Sequence, residues 1–239
     1  MGLTSSRPAH LDSLQRFLLF APVLLFSVVA HEYAHGYAAL KQGDNTALML
    51  GRLTWNPIKH IDPFLTIIVP LATFFLSGGS FIFGGAKPVP VNPRNYRTFK
   101  RSDIIVSLAG IAVNLALVPL IAVVIVALGL LGRGLPALAP SISLLQLTFT
   151  YGIFINLVLA IFNLLPVPPL DGSHVMKYLL PPAWSLQYQR LARGGLILLI
   201  VLLTVGRPIF DLWMRPVFFI ANLVIGLVGP FVLPSQWTT

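Results

Sequence analysis

The chain has 239 residues, 56% of them hydrophobic and only 10% charged, with a mean hydropathy of +0.84. That composition excludes an ordinary soluble domain and points to an integral membrane protein. The net charge of +9 does not argue for nucleic acid, because the positive residues fall in short loops between apolar runs, where the positive-inside rule expects them. No cysteine is present, which removes disulfides, thiolate zinc sites and cysteine-protease chemistry.

Residues 1–15 are polar and are expected at the surface. The first span is read at 16–40; about 25 residues rising 1.5 Å each reach roughly 37 Å, enough to cross with tilt. It is not a cleavable signal peptide, because it carries a motif that must be retained: His31-Glu32-Tyr33-Ala34-His35. Turn-forming Lys41-Gln42-Gly43-Asp44-Asn45 closes the span, so the motif sits in its second half, near one face of the bilayer. In 46–62, Ala47 to Leu53 is expected to form a short β strand or hairpin arm, and Asn56-Pro57 and Asp62-Pro63 mark turns. Residues 64–83 are apolar but carry Pro70 and two glycine pairs. Residues 86–101 (AKPVPVNPRNYRTFKR) have no apolar period and are read as an extended surface loop, cytoplasmic because of Lys87, Arg94, Arg97, Lys100 and Arg101.

A long span is expected at 103–131, opening with small residues and placing Asn114 inside the membrane. After a loop at 132–147 comes a span at 148–167, broken by Pro166, Pro168 and Pro169 just before Asp171. Residues 173–193 are interfacial, and two apolar runs follow at roughly 194–206 and 212–233. The fold class is therefore an all-α polytopic membrane protein with about five to six transmembrane helices, a re-entrant segment and a short β hairpin or strand near the active site. The whole of 1–239 reads as one integral-membrane domain, with a catalytic core at about 16–180 and C-terminal helices at about 190–233.

His31 and His35, four apart on a helix, share one face with Glu32 beside them. That is the HExxH arrangement, in which two imidazoles bind zinc and the carboxylate works on its bound water. Glu32 is the only glutamate in the chain, and ionisable groups within a span are costly enough to be functional by default. Two histidines tying helices together structurally is the plainer reading, but apolar helices have cheaper ways to pack. Catalytic zinc needs a third protein ligand, which cannot be a second glutamate. Asp171, at a proline-broken helix end, is the first choice and His174 the second. His60, His10 and the other aspartates are weaker, the last explained by solvation at span ends. Asn114 and Asn163 are the amides within the spans that can support an oxyanion or substrate, although an interhelical hydrogen bond is the commoner use.

HEYAH on a membrane helix, followed by NLLPVPPLDG (163–172) near the end of a later one, resembles the site-2 proteases, the zinc intramembrane metalloproteases. AGIAVN (109–114) resembles the family's small-residue-plus-Asn span, and GRLTWNPIKHIDP with FGGAKPVPVNPRNYR resembles its compact prokaryotic branch. The resemblance covers roughly residues 17–180. It implies one zinc per chain held by His31, His35 and Asp171, Glu32 as catalytic base, and assistance from Asn114. It also implies hydrolysis of peptide bonds within or near the transmembrane segment of a single-span substrate, in a prokaryotic plasma membrane. The family often has Pro where this chain has Ile111, a difference that touches no ligand. Regulation through a PDZ insertion or a CBS module, which some members of the family carry, is not expected within these residues.

Topology bears on the same site. The two motifs must meet at one depth, which they do if 64–83 dips in and returns without crossing; the alternative is that 64–83 spans and one motif lies at a different depth from the one read. Basic residues in both flanking loops then place the site towards the cytoplasm. The rival reading is a polytopic metal or proton transporter built on the His/Asp cluster, and Glu32 counts against it.

Overall fold

The computed structural model describes residues 13–69, 72 and 84–234. Helix α1 runs Ser13–Gln42, α2 is a single turn at Thr46–Met49, and α3 runs Phe99–Gly134. Then come α4 (Ala139–Asn163), α5 (Asp171–Leu179), α6 (Pro182–Leu191), α7 (Gly195–Thr204) and α8 (Arg207–Val228). Among the described residues, five stretches are long and apolar enough to cross a membrane: Gln15–Gln42, Phe99–Gly134, Pro136–Asn163, Pro182–Thr204 and Arg207–Phe231. The protein is thus an all-helical multi-pass membrane protein, as its composition requires.

Three expectations change. The β strand at Ala47–Leu53 is not there, and no strand occurs among the described residues. Asp44 Oδ1 accepts the Thr46 N–H at 3.1 Å and starts α2 instead. Gly51, at φ 61°, ends it, with Arg52 N–H donating to Ala47 O at 2.8 Å; glycine reaches that left-handed conformation without strain. The loop at 132–147 is largely helix, since α4 starts at Ala139. Its polar Gln146 is fully buried, donating to Ile125 O and Phe231 O and accepting from Leu233 N; hydrogen bonds of this kind let an amide sit in an apolar helix. The re-entrant course of 64–83 lies largely outside the described residues, and the part described, a π-helical turn at Pro63–Ile68, gives it no support.

The chain divides into two compact units. One comprises the residues up to Ser27, Asn114–Ile161 and the residues from Asp211 on. Here Gly152 lets helices approach closely, since a Cβ would stand 2.9 Å from Val23 Cγ1. Asn114 donates to Asn156 Oδ1 at 2.8 Å and to Ser27 O at 3.3 Å, while Asn156 donates to Ser27 Oγ at 2.9 Å. All three residues are fully buried, so this polar knot joins three helical segments with its donors satisfied.

The second unit comprises Val28–Val113 and Phe162–Phe210. The chain after α1 is tied back to it: Arg97 N–H donates to Gln42 O at 2.9 Å, and Tyr37, Tyr33 and Trp55 stack in series. The proline-broken end of α4 meets the start of α5 tightly. A Cβ on Gly172 would lie 2.2 Å from Leu164 O, so only glycine fits directly after Asp171.

Candidate metal centre

Two turns of α1 and the first residue of α5 converge in the second unit. His31 Nε2 stands 3.0 Å from His35 Nε2, and Asp171 Oδ2 stands 3.2 Å from each of them. Among the described residues this is the one group of three or more His, Asp or Glu ligand atoms able to hold a metal ion. The backbone explains why it forms. The i, i+4 spacing places the two imidazoles on one helix face, edge to face with ring centroids 4.6 Å apart, and the broken end of α4 delivers Asp171 at the head of a new helix.

The triangle fits a metal better than it fits hydrogen bonding. Ligands about 2.0–2.1 Å from a tetrahedral zinc stand about 3.3 Å from one another, close to the three edges observed. Asp171 Oδ2 is buried at the atom level yet has no hydrogen-bond partner of proper geometry, despite two ring nitrogens at 3.2 Å. Donor atoms whose lone pairs aim at a common centre rather than along the edges produce that pattern. His35 Nδ1 lies 2.7 Å from Val106 O; donating there fixes the tautomer and leaves Nε2 as the ligand atom. Two nitrogens and one carboxylate oxygen form a donor set suited to zinc with an open fourth position.

Gly110 on α3, which sequence reasoning placed only as a small packing residue, lies against the two imidazoles. A Cβ there would stand 2.5 Å from His31 Cε1, 2.5 Å from His35 Nε2 and 2.6 Å from His31 Nε2. The helix backbone passes so close to His31 and His35 that any side chain would push against both imidazoles.

Glu32 points to a different neighbour: its Oε2 accepts the Val89 N–H at 2.7 Å. His174, second choice as ligand, stands outside the triangle, with Nδ1 3.6 Å from Asp103 Oδ1. Asp103 also takes Lys177 Nζ at 2.6 Å and Tyr178 OH at 2.9 Å. His60 is buried with Nε2 2.9 Å from Thr54 O and braces the loop after α2. Asn114 spends its amide in the polar knot of the first unit, the interhelical use weighed against oxyanion support. Asn163 closes α4.

The profile of peptidase family M50 matches residues 19–138 and 137–203, and the chain belongs to that family. YwhC of Bacillus subtilis, a zinc metalloprotease by name, is 37% identical over 201 residues, which cover 84% of this chain and 86% of YwhC. Rip2 of Mycolicibacterium smegmatis, also a zinc metalloprotease by name, is 30% identical over 197 residues, 82% of this chain and 70% of that protein. No solved structure matches the chain.

Proposed function

We propose that His31, His35 and Asp171 bind the zinc of an intramembrane metallopeptidase and that Glu32 is its general base. The protein is a zinc metalloprotease of the M50 class in a multi-pass membrane framework; the residue roles are our assignment. The observation that carries them is the triangle of ligand atoms, with the chain's single glutamate next in sequence to His31. Bound zinc supplies Lewis acidity to a water and to the substrate carbonyl. Glu32 takes the proton released as water attacks that carbonyl, then gives it to the leaving amine. His31, His35 and Asp171 hold their ring and carboxylate atoms in place, and Val106 O keeps His35 in the right tautomer. Asn163 is left as a candidate support for the substrate, the Asn114 amide being taken up by Ser27 and Asn156. The transporter alternative finds no support in the relatives.

The substrate we infer is a single-span membrane protein in a prokaryotic plasma membrane, cut within or near its span, with the site towards the cytoplasm. Lys87 N–H donates to His60 O at 2.8 Å and Thr66 Oγ1 to Gly85 O at 2.7 Å. His60 and Lys87 therefore lie side by side. That supports a single side for Arg52 and Lys59 and for the run Lys87 to Arg101. The match of one family profile to residues 19–138 and 137–203 supports a single membrane domain.

The test is cleavage of single-span model substrates in proteoliposomes, with products mapped by mass spectrometry. The expected result is a cut inside or at the edge of the span that disappears in Glu32→Gln. Cuts confined to soluble flanks, or unchanged in Glu32→Gln, would overturn the assignment.

A further inference from the structure

The segment around Val89, expected to be a surface loop, is instead strapped onto α1. Pro88 and Pro90 fix their own φ and hold the residues before them, Lys87 and Val89, in extended backbone. Four contacts pin the strap. Lys87 N–H donates to His60 O at 2.8 Å. Arg52 Nη2 donates to Lys87 O at 3.0 Å and to Pro88 O at 3.3 Å. Asn92 N–H donates to the buried Asp44, at Oδ2, at 2.6 Å. The Val89 side chain is buried against Gly36, where an added Cβ would stand 2.9 Å from Val89 Cγ1.

Within Pro88-Val89-Pro90 only Val89 has a backbone N–H, because proline lacks one. That single donor goes to the single glutamate of the chain, Val89 N to Glu32 Oε2 at 2.7 Å. An N–H to a carboxylate is a charge-assisted bond, about twice as strong as a neutral one. The other oxygen, Oε1, has no protein donor among the described residues.

We propose that the Val89 backbone N–H is a positioning group for Glu32: it fixes Oε2 so that Oε1 is presented to the reacting water. This rests on Glu32 being the general base. The strap has the construction such a role needs. Its donor belongs to the main chain and cannot swing away. The flanking prolines offer no competing N–H, and Gly36 admits the valine at the right height on α1. A glutamate side chain on a helix otherwise samples several rotamers, and a base misplaced by about an ångström loses on the order of a hundredfold in rate.

The experiment replaces residue 89 by the α-hydroxy analogue of valine, which turns the donor N–H into an ester oxygen and keeps the side chain. Val89→Ala, which keeps the N–H, and Glu32→Gln run alongside. Because Glu32 is the only glutamate, protein labelled with carboxyl-¹³C glutamate reports this one carboxylate, and the signal is read in zinc-free protein. The ester is expected to shift that resonance and to lower kcat by about tenfold to a hundredfold, with KM, zinc content and unfolding temperature unchanged. Val89→Ala is expected to keep the resonance and most of the kcat that the ester loses. An ester variant with wild-type kcat and an unmoved resonance, beside an inactive Glu32→Gln, would overturn the positioning role and leave Glu32 as the base. A Glu32→Gln variant that still cleaves would overturn the base assignment, and this proposal with it.

Discussion

Replacing one hydrogen of Gly110 by a methyl group would put a carbon 2.5 Å from His35 Nε2 and 2.6 Å from His31 Nε2. The Gly110→Ala protein should therefore fold as a membrane protein but bind zinc at least about tenfold more weakly, judged against the 10–100-fold that loss of an outer partner costs. Competition with a chromogenic chelator measures it, and unaltered affinity would show that α3 can move aside. At this scale the sequence was legible wherever function demands a fixed spacing or a rare residue. That His31, His35 and Asp171 come together was readable from the i, i+4 spacing of the two histidines and from the place of Asp171 at a proline-broken helix end. Gly110 was not, because a glycine in an apolar helix serves packing as readily as a metal site, and only the distance to the imidazoles separates the two. Asn114 was legible as a buried amide, but its partners Asn156 and Ser27 come from other segments, which no local pattern encodes.

Helix α5 carries Asp171 and is held by one buried carboxylate. Asp103 at the start of α3 takes Lys177 Nζ at 2.6 Å and Tyr178 OH at 2.9 Å, with His174 Nδ1 at 3.6 Å. The three partners sit at positions 174, 177 and 178, one face of α5. The Asp103 side chain is 4% exposed and that of Lys177 18%, so removing the acid leaves an uncompensated, mostly buried cation. Asp103→Ala should cost about 3 kcal/mol of stability and should also weaken zinc binding, because α5 loses the anchor that keeps Asp171 in register. Thermal unfolding with and without zinc separates the two effects; full zinc affinity in a destabilised protein would limit Asp103 to a structural role. The elements were legible where they were long and apolar. They were misread where local turn chemistry and buried polar groups decide the outcome: Asp44 and Gly51 turn the stretch read as a strand into α2, and Gln146 buys a helix its place in what read as a loop. Extended backbone beside the motif does exist, but the Pro88-Val89-Pro90 strap supplies it some forty residues further on.

At the scale of the molecule, composition alone gave the class, and the apolar runs gave the spans at 16–40 and 103–131 to within about four residues of Ser13–Gln42 and Phe99–Gly134, whereas the span read at 148–167 begins well after Ala139, where its helix starts. Orientation in the bilayer comes from charge. The native chain lacks cysteine, so Arg94→Cys, at an exposed position, gives a single reporter. It should react with a membrane-impermeant maleimide in inside-out vesicles and stay unlabelled in intact cells; the reverse pattern would put the basic loop, and the site with it, on the outer face.

The central claim, that His31, His35 and Asp171 hold a zinc on which Glu32 acts, is tested most directly by zinc stoichiometry and affinity measured beside cleavage in three purified proteins. The account predicts about one zinc per chain in the native protein. It predicts unchanged zinc with no cleavage in Glu32→Gln, and in Asp171→Ala a loss of affinity beyond the 10–100-fold of an outer-shell change, with cleavage abolished. Native zinc affinity in Asp171→Ala, or cleavage surviving in Glu32→Gln, would contradict it.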